Sequence, residues 1–122
     1  KPTNAEFKIL SVIWDQQSAT VREVLNHLNQ FEDIGYTTVL KVMQIMTEKG
    51  LLKRNSKVKP QLYTAAVPQE KTQGVLLNDL LDRAFNGATG SMVLQLLSNK
   101  KASSEELRQI REMINKLEDQ NS

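Results

Sequence analysis

The chain has no cysteine and a single histidine, His27, among its 122 residues. Those two shortages exclude a disulfide framework, a thiol nucleophile and a thiolate metal site, and they leave too few ligands for zinc or for a histidine-based triad. No metal ligand set or cofactor is expected. No apolar run approaches the roughly 20 residues a bilayer span requires, so membrane insertion is not expected. The opening Lys1-Pro2-Thr3 shows no signal-peptide core, which makes a cytoplasmic location the default expectation. Carboxylates are scattered without a partner suited to acid–base work, and an enzyme is not expected. What is present is ordinary for a folded chain: 39% hydrophobic and 25% charged residues, enough apolar material to build one core with an accessory segment but not two large domains.

The net charge of +2 hides an asymmetry. Residues 1–68 carry nine Lys/Arg against six Asp/Glu, whereas residues 69–122 carry seven against eight. Lys53, Arg54, Lys57 and Lys59 fall in one short stretch without an acid, flanked by Lys49. Such a stretch is either a solvated hairpin tip or a finger that contacts phosphate.

Apolar spacing divides the first half into three helices. Asn4 can cap the first, in which Phe7, Leu10, Ile13 and Trp14 recur at helical intervals until about Gln16. Thr20-Val-Arg-Glu23 is a capping box that opens the second at Val21, with Val21, Val24, Leu25 and Leu28 on one side. Thr37 or Thr38 can cap the third, Gly50 stands where a left-handed residue would end it, and Val39, Val42, Met43 and Met46 form its buried stripe. That arrangement leaves Thr37, Thr38, Lys41 and Gln44 on a second, acid-free face. Leu51–Asn55 and Gln61–Ala66 then read as two strands around a basic turn that ends at Pro60.

After Pro68 the pattern returns to helix. Val75, Leu76, Leu77, Leu80, Leu81, Ala84 and Phe85 cover a wide face that Asn86-Gly87 and Gly90 should end. A short apolar helix over Ser91–Leu97 follows. A capping box at Ser103-Ser-Glu-Glu106 opens a last helix bearing Leu107, Ile110, Ile114 and Leu117. Helices of this length cannot enclose their own apolar faces, so Val93, Leu94, Leu96, Leu97, Leu107, Ile110, Ile114 and Leu117 are expected to meet a second copy of the chain in a homodimer.

Three helices followed by a hairpin define a mainly α fold: a winged helix-turn-helix over 1–68 and a C-terminal helical dimerisation region over 69–122. In that architecture the third helix enters the major groove of double-stranded DNA and the hairpin reaches the backbone. Lys41 and Gln44 suit base edges, and Thr37 and Thr38 suit phosphate near a helix N-terminus. Tyr36 suits either a backbone contact or packing at the cap. Arg54, Lys57 and Lys59 suit sequence-independent phosphate contact. A two-fold dimer implies a pseudo-palindromic operator. A protein-binding winged-helix adaptor and a ligand-sensing regulator remain open on these residues alone.

Tyr36-Thr-Thr-Val-Leu-Lys-Val-Met-Gln44, continuing to Glu48-Lys-Gly-Leu-Leu52 and joined by Ile13-Trp14, resembles the BlaI/MecI family of penicillinase repressors, which includes the copper-responsive CopY branch. The likeness extends to Asn78-Asp-Leu-Leu-Asp-Arg-Ala-Phe85, Ser91-Met-Val-Leu94 and Ser103-Ser-Glu-Glu-Leu-Arg-Gln-Ile110, so it spans nearly the whole chain. It implies a dimeric transcriptional repressor that occupies a promoter dyad and is released when a membrane sensor protease triggers cleavage in the dimerisation segment. The equivalent bond here joins Gln95 and Leu96, where well-known members have Asn followed by Phe. CopY-like members sense metal through C-terminal cysteines, a route this cysteine-free chain lacks.

Overall fold

The computed structural model describes residues 1–121; Ser122, the last residue of the expected C-terminal region, lies outside them. Six helices and one hairpin follow in the order α1 (Asn4–Gln16), α2 (Val21–Leu28), α3 (Tyr36–Glu48), β1 (Leu52–Asn55), β2 (Leu62–Ala65), α4 (Gln69–Phe85), α5 (Thr89–Asn99) and α6 (Ser104–Asn121). The fold is mainly α with a two-stranded antiparallel hairpin. Two compact units divide the chain, Lys1–Leu77 and a second beginning at Asn78, with the boundary inside α4.

In the first unit the core is built by α1, α2 and α3 with the hairpin closing one side. Ile9, Leu10 and Ile13 meet Val24, Leu25 and Leu28 from α2 and Val39, Met43 and Met46 from α3, and Leu52 and Tyr63 add the hairpin's inner face. Burying each such side chain contributes roughly 1.5–3 kcal/mol. The expected stripe of α2 is buried at all four positions, whereas Val42 of α3 and both Phe7 and Trp14 of α1 are only half-buried. Trp14 still anchors the unit: its indole N–H donates to the Val67 carbonyl at 3.2 Å, and its ring meets Phe7 edge-on at 5.8 Å. The hairpin is fixed by a pair of backbone bonds between Ala19 and Tyr63, with Tyr63 N–H donating at 2.8 Å and Ala19 N–H at 3.0 Å.

Two of the expected caps differ. Thr3, not Asn4, caps α1, and its hydroxyl and Glu6 complete a reciprocal capping box that satisfies two free amides. Gly35, not Thr37 or Thr38, stands at the N-cap of α3 in an extended conformation, so both threonines lie inside the first turn. The boxes at Thr20/Glu23 and Ser103/Glu106 form as expected. At the other end of α3, Gly50 takes a φ of +83°, which costs an L side chain but not glycine. Its N–H donates to the Thr47 carbonyl and that of Leu51 to Met46, closing the helix in a Schellman turn.

In the second unit, Asn86 and Gly87 both have positive φ and end α4. The chain is therefore already free to restart at Thr89, and Gly90, expected among the residues ending α4, instead sits in the first turn of an α5 longer than the expected Ser91–Leu97. Neither α5 nor α6 buries any residue among those described. Leu94 is 71% exposed, and Val93, Leu96, Leu107, Ile114 and Leu117 are also exposed, while Leu97 and Ile110 are half-buried.

Candidate nucleic-acid interface

The α3 surface facing away from the core follows from the 100° step of the helix. With Val39, Met43 and Met46 inside, Thr37, Lys41 and Gln44 project outward along roughly 10 Å of axis, with Thr38 beside them. All four are exposed. Among the described residues none of their side chains has an intramolecular hydrogen bond or ion pair, so nothing competes for their donors and acceptors. Gly35 supplies no side-chain cap, and the first turn of α3 holds no acid, which leaves its N-terminal amides and positive dipole end available to an anion.

Two neighbours change the expected picture of this face. Glu48, seven residues beyond Lys41, is also exposed and lies on nearly the same line, so the acid-free surface ends before the last turn of α3. Ile45 is 40% exposed beside Lys41, placing a branched apolar group on a polar face. Ile45 flanks the buried stripe, so spacing alone does not assign its side, and the packing turns it outward.

The hairpin follows α3 closely, β1 beginning two residues after Gly50. Leu52 pairs with Ala65 and turns inward, while Lys53, Arg54 and Asn55 are exposed. At the tip the Asn55 side-chain oxygen accepts from the Lys57 backbone N–H at 3.1 Å, an Asx turn that presents Lys57 and Lys59 to solvent. Lys53, Arg54, Lys57 and Lys59 have no carboxylate partner among the described residues, so their charge is uncompensated. Lys49 is different: its ammonium donates to Glu6 at 2.9 Å, which withdraws it from the basic group it flanks in sequence. Tyr36, the first residue of α3, is exposed and carries the Arg22 guanidinium over its ring, 4.8 Å from the centroid. Periodicity gave no reason to single out Arg22; the Thr20–Glu23 capping box, which fixes where α2 begins, was the available signal.

The remaining expected positions lie elsewhere. His27 is half-buried on α2. Gln95 and Leu96 are exposed in the middle of α5. No group of three His, Asp or Glu side chains could hold a metal among the described residues, and no helix among them is long and apolar enough to cross a membrane.

Three helices, a basic hairpin seated against the segment before α2, and a third helix with an unpaired polar face define a winged helix-turn-helix protein. Residues 2–116 match the model of the penicillinase repressor family, and the chain belongs to that family. It is 26% identical over 112 residues to the penicillinase repressor of Bacillus licheniformis, covering 92% of this chain and 88% of that protein. It is 19% identical over 114 residues to the methicillin resistance regulatory protein MecI of Staphylococcus aureus strain N315, covering 93% of each. Among solved structures, the fold resembles monomeric B. licheniformis BlaI in complex with the blaP half-operator, with a TM-score of 0.51 and 21% identity over 57% of this chain and 85% of that one. It also resembles an E. coli MarR variant complexed with operator DNA, with a TM-score of 0.51 and 16% identity over 96% of this chain and 76% of that one. These likenesses establish the winged-helix fold.

Proposed function

We propose that this chain is a transcriptional repressor that binds a pseudo-palindromic promoter operator as a homodimer, acting in the cytoplasm as a binding protein and not as an enzyme. The observation that carries the reading is the surface of α3, where Thr37, Thr38, Lys41 and Gln44 stand exposed without partners beside the unpaired cations of the hairpin. An α-helix fits the major groove, where Lys41 can donate to guanine O6/N7 and Gln44 can pair with adenine. Thr37, Thr38 and Tyr36 would then position the helix against the backbone, while Arg54, Lys57 and Lys59 bind phosphate. Family membership and the two operator-bound neighbours support this reading over a protein-binding adaptor.

Residues 1–68 would serve as the DNA-binding domain and 69–122 as the dimerisation region. What supports the second assignment is the run of exposed apolar residues on α5 and α6, which a second copy would cover. Relief by a membrane sensor protease would act at Gln95–Leu96. An intact helix is a poor protease substrate, but α5 buries nothing of its own, so local unwinding there costs little core packing. Separating the halves of a dimer makes the second half-site contact intermolecular again, which lowers affinity by orders of magnitude without altering α3.

The test is a binding series of the intact chain on dyad-containing DNA from its own promoter region and on random duplex, from 50 to 300 mM salt. Preferential binding to the dyad with a steep loss on adding salt is the expected result. Absence of salt-dependent binding to either duplex would refute the reading.

A further inference from the structure

The Arg22 guanidinium carbon lies over the Tyr36 ring, 4.8 Å from its centroid, joining the second residue of α2 to the first residue of α3. This pair stands at a cleft of about 190 Å³ where α2, α3 and the segment leading from the hairpin turn into β2 meet, lined by Thr20, Arg22, Tyr36, Pro60 and Gln61 among others. No acidic side chain lines it. Glu23, its acidic neighbour in sequence, points to another face of α2 and accepts from the Thr20 backbone N–H at 2.8 Å. Arg22 has no carboxylate partner among the described residues, so its charge is held in place by a ring and left unneutralised.

A guanidinium held over an aromatic ring by cation–π attraction keeps N–H donors available for other partners. Those donors match the paired oxygens of a phosphate. The ring contact also limits the rotamers of a long side chain, so less freedom remains to be lost when a phosphate arrives. Lysine could not substitute fully, because an ammonium has neither the planar face nor the fork.

We infer that Arg22, positioned by the Tyr36 ring, is a backbone phosphate contact that links α2 to the start of the reading helix, making Arg22 and Tyr36 one functional unit. The inference rests on the assignment of this surface to DNA and adds a residue outside both α3 and the hairpin. Its role is to set the register of α3 on the duplex; it does not read bases.

The experiment measures binding of the intact chain to the promoter dyad and to random duplex across a salt series. Arg22→Ala should weaken both by about fivefold and lower the slope of log affinity against log salt by about 0.9. Arg22→Lys should restore the slope but not the affinity. Tyr36→Leu should weaken the parent protein yet add little in the Arg22→Ala background. Arg22→Gln, which keeps most of the aliphatic stem, should reproduce the slope change, and unchanged thermal midpoints separate the effect from loss of fold. If the parent shows the steep salt dependence and both Arg22→Ala and Arg22→Gln retain the parental slope, the inference fails while the DNA assignment stands. If the parent itself shows no salt-dependent binding, the DNA assignment fails and takes the inference with it.

Discussion

Lys49 Nζ lies 2.9 Å from Glu6 Oε2, so the residue capping the C-terminal end of α3 is tied to the first turn of α1 across 43 positions of sequence. Glu6 is only 3% exposed, an unusual place for a carboxylate. Its other oxygen accepts from the Thr3 backbone N–H at 2.9 Å. Burial opposes ionisation, but the Lys49 ammonium and the Thr3 amide outweigh it and hold the carboxyl below its ordinary range.

Glu6→Ala should therefore cost about 2 kcal/mol, within the range for charge-assisted bonds and reduced by solvent on the half-exposed Lys49 side. The unfolded chain, with a carboxyl near 4.5, takes up a proton more readily than the folded one. The charge contribution is thus complete above pH 4.5 and disappears as pH falls through the depressed folded value. Urea unfolding of the parent and Glu6→Gln at several pH values checks this. A gap between the two that widens on acidification would contradict it.

Lys41→Ala and Gln44→Ala should weaken binding to the promoter dyad by about 1–3 kcal/mol each while changing random-duplex binding far less. Lys57→Ala should weaken both equally and lower the salt slope by about 0.9. Anisotropy titrations on both duplexes decide it, and equal losses for every variant would remove the base-reading assignment.

Ile45 presents an apolar group where the remaining side chains are polar, and a thymine methyl is the apolar feature of the major groove. Replacing operator thymines by uracil one at a time removes only that methyl. One replacement should weaken the parent protein severalfold and leave Ile45→Ala unaffected. A complete set of replacements to which parent and variant respond alike would eliminate the contact.

Ile114→Asp and Leu96→Asp each place a charge among exposed apolar residues that the proposed dimer would cover. Both should yield monomers by light scattering with the first unit still folded. Retention of the parent's mass by both variants would count against this interface.

Local chemistry made much of the architecture legible. The Thr20/Glu23 and Ser103/Glu106 boxes located the starts of α2 and α6, and the switch from helical to alternating spacing after Gly50 located the hairpin. Thr3-x-x-Glu6 carries the same capping signature, but the adjacent Asn4 is an equally good cap residue by type, so composition does not choose between them. Threonine chemistry places the start of α3 two or three residues late, because threonines are good caps, whereas Gly35 stands at the N-cap with no side chain to signal it. Of the candidate interface, the polar positions on α3 and the hairpin cations followed from spacing and charge. Arg22 over Tyr36 and Glu6 with Lys49 did not, since each joins residues brought together by packing and not by period. Glu48, seven residues from Lys41, falls on the same line of the helix by spacing alone.

The Schellman turn at Gly50 links α3 to β1 through three residues, Lys49, Gly50 and Leu51, of which Gly50 alone is left-handed. A Cβ there would meet no atom within 4 Å, so the demand for glycine is one of dihedral angle and not of space. In the proposed DNA complex, readout and grip are consequently geared together: whatever tilts the helix in the groove would swing the lysine-bearing arm with it. Evolution can retune the affinity of such a protein by altering charges on the arm, but it can change the angle between arm and helix only by rebuilding that pivot.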